Sequence, residues 1–119
     1  MRDHRTLDRI EHMLAAIAGI ERLTTGKSLG DYAGDVDGAA AVERHFERLS
    51  EASRHLPNDM KQAQPGIPWR AVADLGNVLR HAYDQVMDER IWLIVEKDLP
   101  ALKNAVLAMQ QDLMTGKTE

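Results

Sequence analysis

Apolar residues recur every three or four positions along most of the chain, which is the spacing of one face of an α-helix. Over residues 3–25 this spacing predicts a first helix, and Gly26 is placed to end it as a C-terminal cap. The predicted core-facing side chains of this helix are Leu7, Ile10, Leu14 and Ile17.

Polar residues separate the first helix from the second. Residues 26–38 contain four glycines and three aspartates, so they predict a loop with one helical turn after Ser28. A second helix is predicted over residues 37–55, with Asp37 as its N-cap and Pro57 beyond its end. The predicted apolar face of this helix consists of Val42, Phe46, Leu49 and Leu56.

The second half of the chain predicts further helices. Residues 58–68 predict a connector with a short helix, and Pro68 opens a third helix. The predicted core-facing residues of the third helix are Val72, Leu75, Leu79, Ala82 and Val86. Asp88 is placed to cap the next helix, and the Asp-Leu-Pro sequence at 98–100 predicts a break or kink before a last helix ending near Met114. Because no stretch alternates as a strand does, the predicted fold class is all-α, an antiparallel up-and-down bundle of four to five helices.

The length of 119 residues fits one domain spanning residues 1–119, with a flexible tail at about residues 115–119. An apolar fraction of 44% and a charged fraction of 29% are typical of a globular protein. The absence of cysteine excludes disulfides and thiolate metal sites. No apolar run reaches the ~18 residues of a membrane helix, and the charged N-terminus is unlike a signal peptide. We therefore expect a cytoplasmic protein without a membrane partner.

The net charge of −4 argues against a protein that coats nucleic acid through many phosphate contacts. Any RNA contact is therefore expected at a local patch. One basic row lies along the second helix and consists of Arg44, His45, Arg48, Arg54 and His55. This row fits an RNA-facing edge or a solvent-exposed face, and the interleaved Glu43, Glu47 and Glu51 favour the solvent-exposed face.

Two features imitate known ligand sites and are rejected. The sequence TGKS at 25–28 resembles the end of a phosphate-binding P-loop, but Glu21 stands where that loop needs its first glycine, and the segment follows a helix. None of the five histidines has an acidic residue three positions before it, so a di-iron site of the helical-bundle type is not indicated. We expect neither a metal ion nor another cofactor.

The third helix carries a polar face nearly opposite its apolar one. The residues on this face are Arg70, Asn77, His81, Asp84 and Asp88. Arg80 lies at its flank, and Tyr83 lies nearer the apolar side. A polar face of this kind is, by itself, typical of a solvent-exposed helix.

Three consecutive blocks between residues 42 and 113 give this face a more specific interpretation. They are LSEASRHLP at 49–57, PGIPWRAVADLGNVLRHAYDQV at 65–86 and IWLIVEKDLPALKNAV at 91–106. In these blocks the chain resembles the HepT-like toxins of the HEPN superfamily. The resemblance implies an antiparallel helical bundle that forms a homodimer and cuts RNA without a metal ion. It also implies an Arg-x(4-6)-His motif and a partner, a small nucleotidyltransferase antitoxin that transfers AMP to a tyrosine.

The family residues transfer to this chain with one departure. His81 matches the motif histidine, Tyr83 the modified tyrosine and Asn77 the polar residue after the arginine. The arginine is missing, because the permitted positions are Asp74, Leu75 and Gly76, and Gly76 stands in the commonest one. Arg80 and Arg70 are the candidates to replace it at the RNA phosphate.

The resemblance leaves three functions open. The first is an endoribonuclease toxin in which His81 is the acid/base and Arg80 and Asn77 assist at the phosphate. The alternative is a non-catalytic HEPN module that binds nucleotide or RNA, or serves as the nucleotidyltransferase's partner subunit, because Gly76 replaces the motif arginine. The third is a dimeric scaffold in which the polar face only sets the interface register.

Overall fold

The computed structural model describes residues 2–81 and 86–116, and all regular structure in these ranges is helical. The elements are α1 (Arg2–Thr24), α2 (Leu29–Gly34), α3 (Val36–Arg54), α4 (Asn58–Gln62), α5 (Trp69–Arg80), α6 (Val86–Leu93), a π-helical segment (Ile94–Asp98) and α7 (Leu99–Thr115). The predicted all-α bundle is confirmed. Within these two ranges no helix combines the length and the apolar character needed to cross a membrane.

Helix α3 lies between α1 and α5, and α1 also packs against α7. The apolar side chains at these contacts are removed from water, and each contributes about 1.5–3 kcal/mol to folding. The most completely buried include Ile10, Met13, Ile17, Ile20, Val42, Phe46, Leu49, Val106 and Met109. The predicted apolar face of α3 is therefore confirmed. In α1 the buried face also includes Met13 and Ile20, whereas Leu7 and Leu14 are half-buried at its edge.

Side-chain caps fix the loop between α1 and α3. Gly26 has a φ of +77°, the left-handed conformation that suits a residue just after a helix. Ser28 and Asp31 form a reciprocal capping box that begins α2, as the turn predicted after Ser28 requires. The prediction of Asp37 as the N-cap of the next helix is wrong. The N-cap of α3 is Asp35, whose carboxylate accepts a hydrogen bond of 3.0 Å from the Gly38 N–H.

The last half of the chain departs from the predicted boundaries. Helix α5 ends at Arg80 with His81 as its C-cap, so the single helix predicted to continue to Val86 is wrong. The proposed cap Asp88 lies inside α6, which begins at Val86. Ala82 and Asp84, assigned to the two faces of the predicted helix, and the tail residues 117–119 lie outside the described residues.

No break occurs at residues 98–100, because α6, the π-helical segment and α7 follow one another without a non-helical residue. The Leu99 N–H bonds to the Ile94 carbonyl, five residues back. Pro100 has no N–H to donate and its ring would crowd the carbonyl four residues back. The wider π turn just before Pro100 accommodates it without ending the helix.

Helices α3 and α5 approach closely at a serine and a glycine. The buried Ser50 hydroxyl donates to the Ala73 carbonyl at 2.8 Å and accepts from the Gly76 N–H at 3.0 Å. A Cβ at position 76 would lie 3.2 Å from Ser50 Oγ, closer than most such contacts. The guanidinium of Arg54 donates to the same Ala73 carbonyl at 3.1 Å. These hydrogen bonds fix the distance between α3 and α5 and the rotation of α5 about its own axis.

We expect Ser50→Ala to lower the free energy of unfolding by about 1–3 kcal/mol, because it removes the two hydrogen bonds that the Ser50 hydroxyl makes to the α5 backbone. Urea unfolding followed by circular dichroism measures this loss. Ser53→Ala is the matched control, since the buried Ser53 hydroxyl donates only to Ser50 O within α3. An equal loss in the two variants would contradict a special role for the bonds that join α3 and α5.

Candidate functional site

Trp69 anchors the beginning of α5. Its indole N–H lies 3.0 Å from the Lys61 carbonyl and 3.1 Å from the Gln64 carbonyl, at the end of α4. The Ile-Pro-Trp sequence at 67–69 therefore connects α4 to α5 through one side chain shared by both. This anchor and the Ser50 contact together hold α5 in position against α4 and α3.

The end of α5 carries three of the predicted site residues. Asn77 and Arg80 are exposed on its last turn, and His81 is exposed as the C-cap. Arg70 lies ten residues before Arg80, which is about 15 Å along the helix axis. It lines a separate depression with Arg54 and Asp74. Tyr83 lies outside the described residues.

Arg80 folds back over Gly76. Its Nη1 atom is 3.7 Å from the point that a Cβ of residue 76 would occupy. Long side chains of a helix lean toward its N-terminus, so a residue at position 80 can cover the turn that contains position 76. The guanidinium of Arg80 therefore borders the space into which an arginine at position 76 would begin to project.

Arg80 also lines a groove of about 760 Å³ between α1 and α3. We call this the basic groove; its charged and titratable lining consists of Arg9, His12, Arg44, His45, Glu47, Arg48, Glu51 and Arg80. Ala15, Ala16 and Ala52 also line it. Four arginines against two glutamates make this lining cationic in a chain whose net charge is −4.

The two glutamates of the basic groove already have partners. Arg44 Nη1 lies 3.3 Å from Glu47, and His55 Nε2 lies 3.0 Å from Glu51. The bond from His55 lowers the pKa of Glu51, with smaller contributions from Arg54 and Arg9. In the part of the chain that the structure describes, neither Arg9 nor Arg48 forms an ion pair. These two guanidinium groups are therefore placed to receive an anion.

His45 is a half-buried titratable group of the basic groove. Its ring packs against Gly19 of α1, where a Cβ would stand 2.5 Å from Cε1. Its Nδ1 atom is buried and has no hydrogen-bond partner among the described residues. Burial lowers the pKa of His45, and the nearby charges of Arg48 and Arg22 lower it further.

Arg9 and His12 line the basic groove, although the sequence pattern does not identify them as site residues. Both lie on the polar side of α1, and only the packing of α1 against α3 brings them beside Arg44 and Arg48. The three-residue spacing of Arg9 and His12 shows that they share one helix face, but not what this face borders. Among residues 2–81 and 86–116, no group of three or more His, Asp or Glu side chains could hold a metal ion.

His45 should make the protein less stable in mild acid. Because its pKa is lower in the folded state, the unfolded chain binds a proton more readily below about pH 6.5. This contribution to stability is complete above that pH and is lost as the pH falls through the folded-state pKa. We expect His45→Gln to reduce the difference in unfolding free energy between about pH 7.5 and about pH 5.5.

Urea unfolding at the two pH values measures this difference. Glu43, whose pKa is raised mainly by burial, contributes in the opposite direction but is present in both proteins and cancels. His4→Gln removes a histidine from the exposed start of α1 and is the control. The same pH dependence in wild type and His45→Gln would refute the assignment to His45.

Comparison with known proteins gives one consistent family. The sequence profile of the ribonuclease HepT-like family matches residues 13–109. No solved structure matches the chain significantly.

Three relatives illustrate the range of proteins that the chain resembles. It is 38% identical over 102 residues to a "Probable ribonuclease HepT" of Thermococcus cleftensis, covering 86% of this chain and 91% of the relative. It is 28% identical over 102 residues to a "Putative RNase" of Caldanaerobacter subterraneus subsp. tengcongensis, with the same two coverages. It is 31% identical over 108 residues to a "Gamma-glutamylcyclotransferase and putative RNase" of Methanocaldococcus jannaschii, covering 91% of this chain but 49% of that protein. The chain belongs to the HepT-like ribonuclease family, and the family predicted from its sequence is confirmed.

Proposed function

We propose that this chain is a metal-independent endoribonuclease whose catalytic residues are His81, Arg80 and Asn77. One observation carries the proposal: Arg80 lines the cationic groove and directly precedes an exposed histidine at the end of α5. An RNA phosphate beside Arg80 would therefore lie near an imidazole. Membership of the HepT-like ribonuclease family supports RNA as the substrate.

Cleavage of RNA without a metal ion needs an acid/base and a cation, and residues at the end of α5 can provide both. His81 removes the proton of a ribose 2′-hydroxyl, and the 2′-oxygen attacks the adjacent phosphorus. The bond from phosphorus to the 5′-oxygen breaks, and an imidazolium returns a proton to that leaving oxygen. The products are a 2′,3′-cyclic phosphate and a 5′-hydroxyl. The Arg80 guanidinium stabilises the negative charge that develops on the phosphoryl oxygens, and Asn77 donates a hydrogen bond to them or orients His81.

A homodimer would supply the second imidazole. We propose that the two copies associate through α5 so that both His81 side chains face one cleft. The exposure of the last turn of α5 supports this assignment. Asn77, Arg80 and His81 are all exposed there, so a second copy can approach these side chains directly.

Gly76 is the specific reason to keep a second candidate function. A residue with a Cβ at this position would press on Ser50, so the α3–α5 contact and a motif arginine at position 76 compete for the same space. If Arg80 does not replace that arginine, the chain is a non-catalytic module that binds RNA or nucleotide, or a partner subunit of a nucleotidyltransferase. Arg70 is the less favourable replacement, because it lines a different depression.

We further propose that the ribonuclease is the toxin of a cytoplasmic toxin–antitoxin pair. The antitoxin would be a small nucleotidyltransferase that transfers AMP to the Tyr83 hydroxyl. Tyr83 lies two residues after His81 in the sequence. A bulky anion attached there would compete with RNA phosphate for the same cations, which gives the modification a direct way to inhibit cleavage.

Replacing His81 by alanine should lower the rate of RNA cleavage by about 10²–10⁴-fold, because the general base is lost. Purified protein is incubated with single-stranded RNA in EDTA, and the ends of the fragments are identified by mass. We expect wild type to cleave in EDTA and to leave 2′,3′-cyclic phosphates. Arg80→Gln should lower the rate by about 10²–10³-fold.

His4→Ala is the control for His81→Ala, since His4 is exposed near the start of α1. It should cleave at the wild-type rate. Cleavage that requires a divalent metal would contradict the metal-independent mechanism. Wild-type protein that binds RNA without cleaving it would instead support the non-catalytic module.

Modification of Tyr83 can be tested separately. We expect the protein, incubated with ATP and a nucleotidyltransferase encoded beside its gene, to gain the mass of one or more AMP groups and to lose ribonuclease activity. Tyr83→Phe should gain no mass and stay active, because phenylalanine has no hydroxyl to accept AMP. Modification of Tyr32→Phe should match wild type, since Tyr32 is buried. Loss of the mass gain in Tyr32→Phe but not in Tyr83→Phe would assign the modification elsewhere.

A further inference from the structure

We propose that the basic groove between α1 and α3 binds the phosphate backbone of the RNA strand next to the cleavage site, with Arg9 and Arg48 as its principal phosphate contacts. The inference rests on the proposed ribonuclease function and extends it, because it names a binding surface outside the catalytic residues. Neither the family match nor the relatives assign a role to this groove.

The first argument is convergence of positive charge. The groove collects Arg9 from α1, Arg44 and Arg48 from α3, and Arg80 from α5 into one concave surface. An ordinary solvent-exposed helix face carries charges of both signs on a single helix, and the sequence of α3 alone has this character. Packing three helices together so that their arginines share one groove places several cations where a polyanion can contact them simultaneously.

The second argument concerns which cations are available. Of the three glutamates interleaved with the basic row of α3, Glu47 pairs with Arg44 and Glu51 bonds to His55, whereas Glu43 does not line the groove. Arg9 and Arg48 form no ion pair among the described residues, and they come from opposite walls of the groove. Two guanidinium groups on facing walls can bind phosphates of one strand through bidentate hydrogen bonds.

The third argument is that small side chains leave the groove open and that the groove runs toward His81. Ala15, Ala16 and Ala52 line it, so no long side chain from these positions fills it. The groove is lined by residues 44 to 52 of α3, so it extends about 12 Å along this helix. At Arg80 the groove reaches the end of α5, directly before His81. A strand lying in the groove would therefore lead toward the catalytic histidine.

The lowered pKa of His45 agrees with this placement. Burial is the main cause of this shift, and the charge of Arg48 adds to it by opposing a further proton in the groove. A neutral imidazole there does not add to the positive charge of the groove. The phosphate contacts are thus left to the arginines.

The test compares Arg9→Gln/Arg48→Gln with Lys27→Gln/Lys97→Gln, which removes the same charge outside the groove. The probe is a fluorescein-labelled single-stranded RNA of mixed sequence in which fluorine replaces each 2′-hydroxyl, so that it cannot be cleaved. Its Kd is measured by fluorescence anisotropy at several salt concentrations. Cleavage of the unmodified RNA is measured on the same preparations.

For Arg9→Gln/Arg48→Gln we expect a Kd raised by about 10-fold or more, and a plot of log affinity against log salt that is shallower by about 1.4, from two lost single-strand phosphate contacts. Cleavage should show a raised KM with kcat nearly unchanged, since the catalytic residues remain. The control should match wild type in all three measurements. An unchanged Kd and salt slope in Arg9→Gln/Arg48→Gln would overturn the proposal.

A second variant keeps the test decisive if the double variant does not fold. Ala15→Glu places a carboxylate in the groove from an exposed position and should also raise the Kd by about 10-fold. If either variant instead changes the sedimentation of the protein and leaves its RNA affinity intact, the groove is an interface between copies and the proposal fails. Wild-type protein that binds the probe through these arginines but cleaves no RNA would retain the groove and overturn only the ribonuclease function.

Discussion

The hydrogen-bonded contact between Ser50 of α3 and the α5 backbone is the constraint on which the rest of the site depends. One hydroxyl donates to the Ala73 carbonyl and accepts from the Gly76 N–H, and this brings the two helices so close that a Cβ at position 76 would crowd the Ser50 hydroxyl. The contact sets the position of the last turn of α5. Arg80 consequently lies against α3, at the edge of the basic groove.

The same contact gives Gly76 a packing role, because a Cβ at this position would lie 3.2 Å from Ser50 Oγ. Arg80, one turn later, leans back over the turn that Gly76 occupies. The Arg80 guanidinium therefore lies next to Gly76 as well as at the edge of the basic groove.

Charge distribution connects the fold to the proposed substrate. A protein of net charge −4 repels nucleic acid at long range, so its affinity must come from a few cations at one place. Such a place arises where α1 and α5 pack against α3, because this packing collects Arg9, Arg44, Arg48 and Arg80 in one groove. The net negative charge of the chain as a whole disfavours non-specific RNA binding elsewhere on the molecule.

The all-helical fold, the apolar face of α3, the cap at Gly26 and the helical turn after Ser28 could be predicted from the sequence, because they follow from local spacing and from residues with strong local preferences. It also identified the family, since three motif blocks carry that information. Sequence spacing placed the N-cap of α3 two residues late, because Asp35 and Asp37 are equally good caps and only the backbone path chooses between them. It also extended α5 beyond Arg80, because an apolar stripe continues in the sequence even where the helix ends.

Which charged side chains lie together in the basic groove depends on the tertiary structure. A helical wheel shows that Arg44 and Arg48 share a face with glutamates, but it contains no information on what packs beside that face. The groove exists because α1 brings Arg9 and α5 brings Arg80 to α3, from positions dozens of residues away in the chain. Electrostatic sites of this kind depend on distances in space, which no local spacing rule determines.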